Sequence, residues 1–187
     1  MKRTLVAYYS HTGSNEYLAR QIARRLDADL EPIRPRLDIF GLQLLFSWLR
    51  FSFGIRRFQH DPAHYDRMVL VGPIWTGQLI APLRACIRKY RKVVPEFLFA
   101  TCCGSTDQMQ DERFGYGHVF ALARKTARET PMQCRAFPIA LVLPEENPEG
   151  EAIMNTRLSE ENFRGEIRDR LDAWMAEAME EREAVTA

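Results

Sequence analysis

The chain has 187 residues, 46% of them hydrophobic, with 26 Lys and Arg against 25 Asp and Glu for a net charge of +1. This is the composition of an ordinary globular protein, long enough to bury a substantial core yet within the range of one domain, and no Pro/Gly/Ser-rich linker divides residues 1–187. The near-neutral charge, without a basic-aromatic or recognition-helix pattern, argues against nucleic acid as a partner.

The start, Met-Lys-Arg-Thr, leads straight into a strand without the apolar run and cleavage site of a signal peptide, so a cytoplasmic location is expected. Four cysteines, at 86, 102, 103 and 134, lack disulfide or metal-ligand spacing and read as reduced thiols. Residues 4–9 (Thr-Leu-Val-Ala-Tyr-Tyr) are β-branched, apolar and aromatic, as a buried parallel strand requires. A helix is predicted over 14–26, with Tyr17, Leu18, Ile22, Ala23 and Leu26 on its apolar face.

Between strand and helix lies Ser10-His11-Thr12-Gly13-Ser14-Asn15. The first N–H groups of a helix have no intrahelical partner and its N-terminus is partly positive, so an anion is held there by amides and dipole together. Ser10, Thr12, Ser14 and Asn15 add side-chain donors, and Gly13 lets the backbone come close to a ligand. The same residue types also mark turns and cap helices, which is their commoner use. Neither the Walker pattern nor G-x-G-x-x-G is present, which disfavours both common phosphate loops.

A second strand is predicted at about 29–33, followed by an enlarged connection, 37–65, before the third. Its core, Ile39 to Phe58, reads as one helix on which Gln43, Ser47, Arg50, Gly54 and Arg57 form a narrow polar stripe. The rest of that helix is largely apolar, more than one side of a small sheet ordinarily needs. Its uncharged part, Ile39 to Leu49, is too short to span a membrane. Core packing, a homodimer interface, a lid over the site, or contact with a membrane surface remain open uses. His60 and His64 straddle Pro62 and do not share a helical face, so no metal site is expected.

Further on, strands are predicted at 68–72, 96–101 and about 134–142, helices at 79–92 and about 113–129, and a terminal helix from about Ser159 to Glu183. That last helix carries an apolar stripe of Phe163, Ile167, Leu171, Trp174 and Met175. Residues 145–187 hold thirteen acidic and five basic side chains, read as a solvated outer face. Strands alternating with helices imply an α/β protein: a doubly wound parallel sheet with right-handed crossovers.

Ser-x-Thr-Gly-x-Asn after a strand resembles the phosphate loop of the flavodoxin superfamily, which holds the phosphate of flavin mononucleotide (FMN). Two more segments agree in order: Val69-Leu-Val-Gly-Pro-Ile-Trp-Thr-Gly77 with Pro82-Leu-Arg84, and Phe97-Leu-Phe-Ala-Thr-Cys-Cys-Gly-Ser105. They look like that superfamily's third and fourth strands with their ring-contacting loops. The resemblance spans residues 4–105 and implies one flavodoxin-like domain with five strands in the order 2-1-3-4-5, the ligand lying at the carboxyl edge where connections diverge.

It also implies FMN as cofactor, its phosphate on Ser10, His11, Thr12, Gly13, Ser14 and Asn15. The ring would lie between Pro73, Ile74, Trp75, Thr76 and Gly77 on one side and Thr101, Cys102, Cys103 and Gly104 on the other. Trp75 is expected against the isoalloxazine, and amides of the two loops at its N5/O4 and N1/O2/N3 edges, where hydrogen bonds tune the potential.

Electron-carrier flavodoxins usually place a second aromatic in the loop after strand 4 and are strongly acidic. This chain has Thr101-Cys-Cys-Gly-Ser-Thr-Asp107 there and is near neutral, which leaves one ring face open to a flat reactant. An FMN-dependent oxidoreductase passing electrons from NAD(P)H to a quinone or similar small acceptor is the expectation. The alternative is a flavodoxin-type carrier between protein partners. Cys102 and Cys103 have no Cys-x-x-Cys spacing or neighbouring base and read as small packing residues. His11 faces either the phosphate or solvent, and Tyr116 and His118 either border a substrate pocket or only shape their helix.

Overall fold

The structure, a computed structural model, describes residues 2–49, 51–144 and 150–180. Its strands are β1 (Thr4–Tyr8), β2 (Asp29–Pro32), β3 (Arg67–Val71), β4 (Ile74–Trp75), β5 (Gln78–Leu79), β6 (Phe97–Cys103) and β7 (Met132–Pro138). Its helices are α1 (Ser14–Leu26), α2 (Phe40–Trp48), α3 (Ala81–Tyr90), α4 (Tyr116–Ala127), α5 (Gly150–Asn155) and α6 (Glu166–Glu180). Five strands make one parallel sheet in the order β2-β1-β3-β6-β7, the expected 2-1-3-4-5, while β4 and β5 form a separate antiparallel hairpin.

Burial on both faces explains why β3 and β6 are unbroken runs of buried residues and do not alternate. Successive side chains still point to opposite faces. Val6, Val69, Leu98 and Ala100 meet α1 and α6 on one side; Ala7, Leu70, Phe97 and Phe99 meet α3 and α4 on the other. Trp174 of α6 is fully enclosed against Phe137, and truncating such a side chain to alanine costs about 3–5 kcal/mol.

The terminal helix begins later than its apolar stripe predicts. Gly165, at φ +62, lies in the left-handed region and separates buried Phe163 from Glu166, where the helix starts. The expected extension to Glu183 lies outside the described residues beyond Glu180, as do 145–149 of the acidic stretch.

The connection from residue 33 to 66 departs most from expectation. It is not one helix: α2 stops at Trp48, and residues 54–56 lie antiparallel to 34–36 through an Arg36 N–H bond to Gly54 O and an Arg56 N–H bond to Arg34 O. That pairing drops Ile55 and Phe58 into the core, a burial no continuing helix provides, and Gly54 adopts φ +83 to make the bend. The predicted stripe through Gly54 and Arg57 therefore does not exist, and Arg50 lies outside the described residues.

Where the helix does form, its polar stripe faces inward. Gln43 and Ser47 are buried. The Ser47 hydroxyl donates to Gln43 O and accepts from Ala81 N at 2.9 Å, while Gln43 Nε2 donates to Leu37 O. Buried Arg84 of α3 donates to the carbonyls of Phe46 and Ser47 at 3.2 Å each, a cation placed on the carbonyl end of α2. The chain thus orients α2 by hydrogen bonds and leaves much of its apolar side outside.

Candidate functional site

The carboxyl ends of β1, β3 and β6 bring three loops together. After β1, Gly13 adopts φ +97 and its N–H donates to Ser10 Oγ at 3.0 Å, which folds the turn onto itself. The first intrahelical bond of α1 is Tyr17 N–H to Gly13 O at 2.9 Å, so the N–H groups of Ser14, Asn15 and Glu16 have no acceptor within the helix. The space beside Gly13 is open, and His11, Thr12 and Gly13 are exposed. These features fit a phosphate: three amides and a dipole face a site that solvent reaches.

Asn15 has a different task from the one expected of its side chain. It is buried, its Nδ2 donates to Cys102 O at 3.0 Å, and its Oδ1 accepts from Cys102 N–H at 2.8 Å. Two residues earlier on the same edge of β6, Ala100 O accepts from Gly72 N–H. There β3 ends, and Pro73 has no N–H to continue the ladder. The Asn15 amide takes the place of the missing strand, so what it offers a ligand is its backbone N–H. Ser14 is buried too and accepts from Leu158 N–H at 3.1 Å, yet keeps its hydroxyl proton for an acceptor.

After β3, Thr76 and Gly77 form the two-residue turn of the β4–β5 hairpin, with φ +49 and +67, the signs a type I′ turn requires. A Cβ on Gly77 would lie 2.6 Å from Arg113 O, so glycine is needed there for space as well. Trp75 stands edge-on to Tyr9 and His11, each with ring centroids at 6.1 Å, which ties this hairpin to the first loop. Burial and the neighbouring Asp38 carboxylate push the Tyr9 phenol up to about 12.

The third loop follows β6. Thr101 was expected at the ligand, but it is fully buried inside β6, and its hydroxyl has no partner among the described residues. The strand runs two residues beyond its predicted end, which draws Thr101 into the sheet and puts Gly104 at the edge. Cys102 and Cys103 are buried as well. Burial pushes the Cys102 thiol up to about 12 and raises that of Cys103 further, so neither is a thiolate nucleophile.

Trp75, Thr76 and Gly77 face Gly104, Ser105 and Asp107 across a cleft of about 1160 Å³. Its far wall comes from segments in which sequence reasoning saw no site residue: Leu141 and Leu143 after β7, and Ile153 and Met154 of α5. Ile153 sits over Gly104, where a Cβ would approach it to 3.0 Å. Pro73 does not line the cleft, and His118 is exposed on α4 away from it.

A lock on the third loop was also missed. Arg170 of α6 grips Asp107 in a two-pronged pair, at 3.0 and 2.6 Å, and Tyr116 donates to the same carboxylate at 2.7 Å. The Arg170 bonds, then that from Tyr116, outweigh burial and hold the Asp107 carboxyl below its usual range. Sixty-three positions separate Asp107 from Arg170, and no local pattern announces such a pair.

No protein-family profile matches the chain, and no curated protein is similar to it in sequence. Solved structures are. A protein from Bacteroides eggerthii assigned as a flavoprotein superposes with a TM-score of 0.60 at 18% identity, covering 82% of this chain and 94% of its own. A flavoprotein from Lactobacillus acidophilus, solved in complex with FMN, gives 0.56 at 16% identity over 73% of this chain and 91% of its own. The chain has the flavodoxin-like fold. Its site lies where that fold's strand order reverses, beyond the carboxyl ends of β1 and β3.

Proposed function

We propose that this flavodoxin-like protein is an FMN-dependent oxidoreductase that passes electrons from NAD(P)H to a quinone or similar flat acceptor. The observation that carries the reading is the cleft beside Trp75. At about 1160 Å³ it exceeds the roughly 300–1,000 Å³ of ordinary small-molecule sites, room for a flavin ring and a second planar molecule. A carrier that docks on proteins needs no such room.

In this reading the N–H groups of Ser14, Asn15 and Glu16 hold the phosphate, with hydroxyl donation from Thr12 and Ser14. The bound flavin supplies electron and hydride transfer. Trp75 packs on the ring, while Thr76, Gly77 and Gly104 offer backbone at its edges. The bonds from Arg170 and Tyr116 to Asp107 keep the third loop in one place, which orients reactants without taking part in the chemistry. The apolar wall of Leu141, Leu143, Ile153 and Met154 excludes water from the reacting face.

Titration of FMN into the purified protein should quench flavin fluorescence, and Trp75→Ala should relieve much of that quenching. Loaded protein should oxidise NADH or NADPH in steady state only when a quinone is present. Absence of flavin binding refutes the cofactor. Binding without turnover against any quinone, together with electron exchange with a reductase protein, refutes the enzyme in favour of the carrier.

A further inference from the structure

The outer face of α2 and the turn after it is apolar and turned to solvent. Ile39, Leu45, Trp48, Leu49, Phe51 and Phe53 are all exposed, Trp48 at 71% of its surface. Scattered exposed leucines need no explanation, but six large apolar residues within fifteen positions make a patch. Gln43, Ser47 and Arg84 hold α2 this way round through buried hydrogen bonds, so the exposure is built into the packing. Phe46, Phe51 and Phe53 brace one another edge to face, with ring centroids 5.1 to 5.6 Å apart.

A basic rim adjoins this knob. Arg36, Arg88 and Lys89 share a shallow cavity with Phe53, and Arg57 lies with Arg36, Lys89 and one acid, Asp61, in the next one. Residues 33–58 contain five arginines and one acid, Asp38. Among the described residues, none of Arg36, Arg56, Arg57, Arg88 and Lys89 forms an ion pair with a carboxylate.

We infer that this face docks on an anionic phospholipid surface, with Trp48, Leu49, Phe51 and Phe53 entering the headgroup boundary and the arginine rim meeting lipid phosphates. Exposed Trp, Phe and Leu flanked by Lys and Arg are the chemistry of interfacial helices. Nine residues of helix extend about 14 Å, under half of a ~30 Å hydrocarbon core, so the segment lies on the surface and does not cross it. A second copy of the chain suits the face less well. A two-fold interface would bring two copies of the same basic rim close together, five arginines in residues 33–58 of each chain against two acids at or near the rim, Asp38 and Asp61.

The test uses the purified full chain and sedimentation with extruded vesicles, one set of phosphatidylcholine alone and one containing phosphatidylglycerol. It needs no flavin, so it stands apart from the enzymatic reading. Binding is expected to the anionic vesicles only and to weaken with salt. Arg57→Glu and Arg88→Glu should each lower it by at least about fivefold, the equivalent of ~1 kcal/mol per basic residue at such a surface. Trp48→Glu should abolish it.

Lipids brominated along the acyl chain should quench tryptophan fluorescence in the parent and not in Trp48→Phe, a variant that keeps the apolar face. Equal sedimentation with both vesicle types, or with neither, overturns the proposal. So does Trp48→Glu binding like the parent, quenching that persists in Trp48→Phe, or a dimer in sedimentation velocity that Trp48→Glu converts to monomer.

Discussion

Replacing Asn15 by alanine removes the amide that takes over from β3 at the end of β6. Both groups it serves, the N–H and C=O of Cys102, lie under a residue only 6% exposed, and Asn15 itself is 4% exposed. With the amide gone, each backbone group loses its partner where water enters poorly, at about 1–3 kcal/mol apiece, so the loss should reach roughly 2–6 kcal/mol. Against a total stability of about 5–15 kcal/mol that is a large fraction. In urea, with a slope near 2–3 kcal/mol per molar for a domain of this size, the unfolding midpoint should fall by about 1–3 M.

Asn15→Asp is the sharper probe. The carboxylate can still accept from Cys102 N–H but cannot donate to Cys102 O, and it adds a buried charge facing a carbonyl. It should therefore unfold as easily as the alanine variant, or more so. A midpoint within about 0.3 M of the parent in both variants would refute the assignment, because neither the loss of both bonds in the alanine variant nor the loss of one with an added buried charge in the aspartate variant can leave stability so little changed.

The double variant Thr12→Ala, Ser14→Ala should bind FMN at least about 100-fold more weakly, since hydrogen bonds to a charged phosphate are worth about 1.5–3 kcal/mol each; unchanged affinity in a fluorescence titration would move the phosphate elsewhere. The Asp107 carboxyl lies below its unfolded value, so its stabilising effect is present above about pH 4 and lost as pH falls through the folded value. Thermal melts of Asp107→Asn should thus lie below the parent at neutral pH and converge with it in acid, and a gap independent of pH would count against the Arg170 grip. Cys102→Ala with Cys103→Ala should leave turnover and the response to thiol reagents unchanged, because both thiols are buried and neutral.

Strand, glycine turn and helix were legible at residues 4–26 because each signal is local: a β-branched run, a residue at positive φ, and a helical repeat. The same holds for the alternating elements, the sheet order implied by the resemblance, and the loops that carry Trp75 and Gly104 to one edge. The sequence did not disclose what depends on partners far away in the chain. Helical spacing over 39–58 gave no hint that residues 34–36 would capture 54–56, or that the polar stripe of α2 would turn inward because Ala81 and Arg84 offer it hydrogen bonds. Nor could it separate Asn15 as a ligand donor from Asn15 as the amide that completes β6, place Thr101 inside the sheet, or pair Asp107 with Arg170. Local patterning sets which elements form, since each residue's neighbours along the chain already decide it. Which polar atoms remain for a ligand is decided only by packing, which satisfies the buried ones first and leaves the rest at the surface.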